Sequence, residues 1–250
     1  MKIDKSKYDS KIIEISFLSD NLMLKGTLHL PSTNMPSVVI GSHGLYSTGN
    51  SPKQIALADA CNCFGLAYFR FDHRGCGSSQ GQFETVTSLE TRCRDLRSAI
   101  EVIRSRYDVG DRLGLFGSSM GGTVCLSIAN EFDVSAIVTF AAPIRSNIPN
   151  KGIKRPDNPA ANGIFFDAHK QAFDISDKLG KIRNILIFHG DADEIVPLSH
   201  AREIYKFAGV PKRLMIQRQG DHRMSNEEHQ EVFIREASSW FNNGLISNFY

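Results

Sequence analysis

The stretch LGLFGSSMGGT at residues 113–123 decides the fold prediction, because two kinds of periodicity meet in it. It begins as a short apolar run typical of a buried strand, and an apolar, helix-compatible run starts at Met120. Ser118 and Ser119 therefore lie on a sharp strand-to-helix turn, and such a turn requires glycine. Either serine is a candidate nucleophile.

The glycines around the turn distinguish the two serines. The positions two before and two after the central residue must be small, because the strand and the helix pass close to each other there. Gly117 and Gly121 flank Ser119 in this way, whereas Ser118 would place two large side chains at those positions. We therefore predict that Ser119 is the nucleophile.

A serine hydroxyl is a poor nucleophile near neutral pH, so it needs a base and a group that orients the base. Asp191 and Asp193 both lie on a loop after a later apolar run, where a carboxylate could hold an imidazole. His222 follows the last predicted strand, in a loop before the final helix. The chain order is then Ser, Asp, His, with either aspartate as the acid.

Short apolar runs alternate with helical segments along most of the chain. This βα alternation predicts an α/β fold with a mostly parallel sheet of about eight strands and helices on both faces. Residues 12–17 and 22–30 alternate apolar and polar side chains, which predicts an antiparallel pair of edge strands. Helices are predicted at residues 52–64, 87–106, 123–131, 199–207 and 226–242.

One segment interrupts the alternation. Residues 143–180 contain four prolines and have weak periodicity. Because the segment leaves the carboxyl end of a strand, we predict a short cap insertion within a single domain that spans residues 1–250. Phe165, Phe166 and Phe173 either line an acyl or aryl pocket or bury the apolar face of the cap.

The overall composition argues against several classes of partner. Lys and Arg number 29 and Asp and Glu 27, and the basic residues are scattered, so neither nucleic acid nor a membrane is an expected partner. With no run of about eighteen apolar residues and no export signal, we expect a soluble, cytoplasmic protein. Neither metal nor organic cofactor is expected. The oligomeric state stays open, a homodimer included.

Taken together, these motifs resemble the α/β-hydrolase superfamily over nearly the whole chain. GSSMGG (residues 117–122) is similar to the nucleophile elbow, HGDADEIVP (189–197) to the acid loop and GDHRMS (220–225) to the histidine loop. GSHGL (41–45) is similar to the oxyanion loop, and FDHRGCGSS (71–79) to the turn after the fourth strand.

The resemblance implies roles for five residues. It favours Asp193 over Asp191 as the acid, beside Ser119 and His222. It also implies an oxyanion hole made of the backbone N–H groups of Leu45 and Met120.

The expected activity is that of a serine esterase without metal or cofactor, acting on esters of small or medium acyl or aryl groups. The size and the short insertion resemble small bacterial esterases, including the cinnamoyl or feruloyl type, and the serine aminopeptidase-like group. Thioester cleavage and amide or peptide cleavage are alternatives, because the three residues determine acyl transfer but not the leaving group. A non-catalytic ligand-binding protein on the same fold is a further alternative.

Overall fold

The computed structural model describes residues 10–146 and 172–246, and these residues form one sheet of eight strands with the order β1-β2-β4-β3-β5-β6-β7-β8. The prediction of about eight strands in a mostly parallel sheet is confirmed. The strands are β1 (Ser10–Ser19), β2 (Leu22–Pro31), β3 (Val38–Ser42), β4 (Ala67–Phe71), β5 (Leu113–Ser118), β6 (Val134–Phe140), β7 (Ile185–Gly190) and β8 (Lys212–Gln217).

Strands β1 and β2 form the predicted antiparallel pair, in a register that runs from Ser10 opposite Pro31 to Ser19 opposite Leu22. Strand β2 also pairs with β4, in antiparallel fashion. Of these two strands only β1 lies at an edge of the sheet, and the expectation that both were edge strands was wrong. All pairs from β4 through β3 to β8 are parallel, so their carboxyl ends lie at one edge of the sheet.

Six α-helices cover the sheet in the described part of the chain. They are α1 (Pro52–Cys63), α2 (Phe83–Val86), α3 (Leu89–Arg104), α4 (Met120–Ile128), α5 (Ser199–Phe207) and α6 (Glu227–Ile246). Helix α4 begins three residues earlier than predicted, and a 3₁₀ turn at Ala129–Glu131 follows it. The four-residue helix α2 was not predicted.

The core has two layers, one on each face of the sheet. Helices α3, α4 and α5 supply the apolar side chains of one layer, and α1 and α6 supply those of the other. Consecutive strand residues alternate between them, as Leu115 and Phe116 of β5 do. The sheet is thus held from both faces.

The two ends of the predicted insertion are paired with each other. The Ser146 N–H donates to the Phe173 carbonyl at 2.9 Å, and the Ile175 N–H donates to the Ile144 carbonyl at 2.9 Å. Residues 147–171, with Phe165 and Phe166, lie outside the described residues, so the cap stays a prediction. Within the described ranges, no helix combines the length and the apolar content needed to cross a membrane.

Candidate active site

Ser119 occupies the turn between β5 and α4 in a backbone conformation that side chains rarely adopt, with φ 52° and ψ −123°. A positive φ at a residue other than glycine costs about 1–3 kcal/mol and persists only where its surroundings hold it. Here the Ser119 N–H donates to the Phe140 carbonyl of β6 at 2.7 Å, and the Gly122 N–H donates to the Ser119 carbonyl at 2.8 Å. The turn lifts the Ser119 side chain to the carboxyl edge of the sheet.

Both flanking glycines are required, but for different reasons. A β-carbon on Gly117 would lie 2.4 Å from the Gly122 Cα, which is the predicted close approach of strand and helix. A β-carbon on Gly121 would lie 2.0 Å from the carbonyl oxygen of Ser42, at the end of β3. Gly121 therefore makes room for the loop after β3 rather than for β5.

The structure brings Ser119, His222 and Asp193 together. His222 Nε2 lies 3.0 Å from Ser119 Oγ, and His222 Nδ1 lies 2.8 Å from Asp193 Oδ2 and 3.0 Å from Oδ1. The Asp193 side chain is fully buried, whereas 12% of the His222 side chain is exposed. Such a chain can carry the hydroxyl proton to the imidazole and stabilise the imidazolium that forms.

Backbone donors orient the Asp193 carboxylate. Its Oδ1 accepts the N–H groups of Ile195 at 2.9 Å and Val196 at 2.8 Å. Burial opposes ionisation, but the contact with His222 and these two N–H groups outweigh it and hold the pKa of Asp193 below its ordinary value. The buried His189, at the end of β7, has its Nε2 at 2.8 Å from the Val196 carbonyl and 3.4 Å from Asp193 Oδ2. His189 thus supports the acid loop.

Asp191, the other candidate acid, does not face His222. It is exposed, and its Oδ1 accepts the Gln219 N–H at 2.5 Å. This bond joins the loops after β7 and β8, whereas the imidazole meets Asp193.

The loop after β3 lies against the elbow. A β-carbon on Gly44 would lie 3.6 Å from Ser119 Cβ. Leu45 follows Gly44, and Met120 is the first residue of α4, where the N–H groups of a helix have no partner within the helix. Both predicted oxyanion donors are therefore in segments next to the Ser119 hydroxyl.

A second hydroxyl–imidazole–carboxylate chain lies in the interior. Ser42 Oγ lies 2.9 Å from His73 Nε2, and His73 Nδ1 lies 3.3 Å from Asp95 Oδ2. All three side chains are fully buried. Arg74 binds the same carboxylate through its N–H at 3.0 Å and its Nε at 2.8 Å. Because no substrate could reach it, this chain is structural.

Lys53 of α1 is a nearby residue that the sequence analysis missed. Its Nζ donates to the Arg223 carbonyl at 3.0 Å, beside His222, and lies 4.2 Å from the Phe140 ring centroid. Burial lowers the pKa of Lys53 to about 8. The contact fastens the histidine loop to α1, and no motif marks such a lysine in a sequence.

Comparison with known proteins agrees with this architecture. A family model described as serine aminopeptidase, S33, matches residues 33–163. The chain is 30% identical to the uncharacterized protein YfhR of Escherichia coli O157:H7 over 223 residues, which cover 86% of this chain and 73% of that protein.

Two solved structures have a similar fold. One is Est1E from Butyrivibrio proteoclasticus with ferulic acid bound, with a TM-score of 0.78, 18% identity, and coverage of 93% of this chain and 100% of that chain. The other is the esterase domain of a Rhodothermus marinus protein, with a TM-score of 0.68, 24% identity, and coverage of 94% and 100%. At these identities the likeness is one of fold.

Proposed function

This chain belongs to the serine aminopeptidase, S33, family within the α/β-hydrolase superfamily, and on that premise we propose that it is a serine hydrolase that cleaves carboxylic esters of small or medium acyl or aryl groups. The observation that carries the proposal is the hydrogen-bonded chain from Ser119 Oγ through His222 to Asp193. Its serine lies on a strained turn, and a strained turn of this kind is typical of a functional site.

In the first half of the reaction, His222 Nε2 takes the Ser119 proton while Oγ attacks the ester carbonyl carbon. The carbonyl oxygen becomes an oxyanion that accepts the N–H groups of Leu45 and Met120. When the tetrahedral intermediate collapses, the bond to the alcohol breaks and His222 gives its proton to the departing oxygen. Ser119 is left acylated.

Water completes the cycle by the same steps. His222 takes a proton from water, the hydroxide attacks the acyl carbon, and the carboxylic acid leaves as the proton returns to Ser119 Oγ. Asp193 stays ionised throughout, which its lowered pKa favours. Its role is to keep the His222 proton on Nδ1, so that Nε2 can act as a base.

The choice of esters draws on the structural neighbours. One neighbour carries ferulic acid, and another is described as an esterase domain, so aryl and short acyl esters are the first substrates to test. The family description, serine aminopeptidase, favours amide or peptide cleavage as the second candidate. Thioester cleavage and non-catalytic ligand binding are further outcomes of the same test.

The test compares two adjacent serines. Wild-type protein, Ser119→Ala and Ser118→Ala are assayed on p-nitrophenyl esters, a feruloyl ester, acyl-CoA thioesters and aminoacyl anilides, and each is treated with a fluorophosphonate probe. We expect ester turnover and labelling in wild type and Ser118→Ala, and loss of both in Ser119→Ala with the fold preserved.

Each other outcome has a defined meaning. Preferred turnover of anilides or thioesters would replace the ester assignment. A wild-type protein that neither turns over a substrate nor reacts with the probe would refute the hydrolase proposal and favour a binding protein.

A further inference from the structure

Arg92 of α3 is fully buried, and its guanidinium reaches the loop after β3. Its NH1 donates to the His43 carbonyl at 3.1 Å and to the Gly44 carbonyl at 3.4 Å, and its NH2 donates to the Leu45 carbonyl at 3.0 Å. Three consecutive carbonyl oxygens of the loop that lies against the elbow thus converge on one side chain.

This arrangement is costly for a purely structural role. Taking a guanidinium out of water is costly, and three uncharged carbonyls together with Cys76 Sγ, 3.5 Å from NH2, offset that cost less well than a directly bonded carboxylate would. Burial accordingly lowers the pKa of Arg92. Its Nε has no hydrogen-bond partner among the described residues. A buried, incompletely paired cation points to a function for the donors that it does direct at the loop.

By holding these carbonyls, the N–H groups of Arg92 also determine the direction of the N–H at the opposite side of each peptide group. In a trans peptide, the C=O and the N–H of the next residue point in opposite directions, and the bonds of this loop are trans. The Gly44 carbonyl points toward α3 and Arg92, so the N–H of Leu45 points the other way. A second amide pair, the His43 carbonyl and the N–H of Gly44, is oriented in the same sense.

The His43 side chain also forms a hydrogen bond to the carbonyl of the peptide group between Gly44 and Leu45. Its Nε2 accepts the His73 N–H at 3.0 Å, which places the imidazole proton on Nδ1. That Nδ1 lies 2.7 Å from the Gly44 carbonyl and donates to it. The oxygen opposite the Leu45 N–H therefore has two side-chain donors, Arg92 and His43, in addition to the backbone N–H of Ser47 at 3.3 Å.

We propose that Arg92 is a positioning residue for the oxyanion hole, which aims the Leu45 N–H at the developing oxyanion by holding the carbonyls of residues 43–45 on the other side of the loop. The assignment rests on the proposed serine-hydrolase function. Arg92 touches no reacting atom and acts through the backbone.

The test separates transition-state binding from ground-state binding. Wild type, Arg92→Met and Arg92→Lys are compared for kcat and KM on the best substrate and for inhibition by a trifluoromethyl ketone, which forms an oxyanion on the serine. Loss of one oxyanion donor costs about 100- to 1000-fold in kcat, so a donor that is misaimed but present should cost about 10- to 100-fold. Affinity for the ketone should fall in parallel, with KM within about threefold of wild type.

Arg92→Lys retains the charge, but one ammonium cannot reach all three carbonyls, so we expect an intermediate loss. Arg97→Met on the same helix is the matched control, because Arg97 is partly exposed and pairs with Glu131 at 2.6 Å. It should retain kcat within about twofold.

The result that overturns the assignment is an active wild type with unchanged kcat and unchanged ketone affinity in folded Arg92→Met. A rise in KM alone would also overturn it, and so would failure of both Arg92 variants to fold, since Arg92 would then be structural. An inactive wild type would instead refute the proposed function, which the wild-type assays alone reveal.

Discussion

Asparagine in place of Asp193 should remove nearly all turnover and leave the fold intact. The backbone N–H groups of Ile195 and Val196 both donate to Asp193 Oδ1, at 2.9 and 2.8 Å. An asparagine must therefore place its carbonyl oxygen there. Its NH₂ group then takes the position of Oδ2, 2.8 Å from His222 Nδ1.

That NH₂ group reverses the imidazole tautomer. The carbonyl oxygen at the Oδ1 position would lie 3.0 Å from Nδ1, but the NH₂ donor is closer, at 2.8 Å, and needs Nδ1 as its acceptor. We therefore expect the proton to move to Nε2, which lies 3.0 Å from Ser119 Oγ. An Nε2 that already carries a proton cannot take the one on Ser119. The same reversal in other serine hydrolases lowers kcat about 10⁴-fold, which corresponds to about 5.5 kcal/mol in the activation barrier.

The assay is steady-state hydrolysis of the best p-nitrophenyl ester, with circular dichroism and thermal unfolding to verify the fold. Asp191→Asn is the matched control, because Asp191 lies on the same loop and bonds to Gln219 instead of His222. It should retain kcat within about threefold. The reasoning would be refuted if folded Asp193→Asn kept more than about a tenth of the wild-type kcat, or if Asp191→Asn lost as much.

Two further predictions concern stability. Burial, and after it the charge of Arg92, lowers the pKa of His73 from 6.5 to about 4. Between these two pH values the unfolded chain binds a proton that the folded protein does not. The free energy of unfolding therefore falls by about 1.4 kcal/mol per pH unit because of this residue, or by about 3 kcal/mol in total at pH 4. Urea unfolding at pH 7, 6, 5 and 4 should show a shallower loss in His73→Asn, and an equal slope in both proteins would contradict the prediction. Gly121→Ala should lower the free energy of unfolding by about 3 kcal/mol or more, because the new β-carbon would lie 2.0 Å from the Ser42 carbonyl oxygen. The control is Gly180→Ala, whose β-carbon would meet nothing within 4 Å and which should change that free energy by no more than about 0.5 kcal/mol. Equal effects of the two substitutions in urea unfolding would contradict the packing argument.

Much of the fold could be predicted because its signals are local. Buried parallel strands are short apolar runs that end in turn residues, and β3 to β7 have this form, whereas β8 at the far edge is only partly buried. The start of α4 was placed too late, at Thr123 instead of Met120, because Gly121 and Gly122 weaken a helical pattern. Both glycines are needed because α4 packs closely against Ser42 and Ala142, and helix propensities do not reflect such packing. Helix α2 has only four residues, which are too few to show a helical period in the sequence.

The site was only partly predictable, for a related reason. The glycines at 117 and 121 mark Ser119, but only Gly117 meets a local requirement, the close approach of β5 and α4; Gly121 makes room for Ser42 of β3, a contact that the sequence does not show. Asp191 and Asp193 could be separated only by family resemblance, since the backbone of the folded loop decides which carboxylate turns inward. A signal for Arg92 was present, because it shares a helix face with the buried Leu96 at a spacing of four. A charged side chain on the apolar face of a helix needs a hydrogen-bonding partner. The sequence does not show that the partner here is the loop after β3, which includes Gly44, 48 residues before Arg92.

The interior chain of Ser42, His73 and Asp95 bears on how enzymes are recognised from the arrangement of their side-chain atoms. A search for three such groups in line would find two matches within the described residues, and both have plausible distances. What separates them is access and backbone geometry: one hydroxyl is sealed inside the protein, and the other is raised on a bent turn where a carbonyl carbon can approach it. In this molecule Ser119, the proposed nucleophile, differs from Ser42 in its position rather than in its partners, so enzymes sought by atomic pattern should also be screened for an open path to the oxygen.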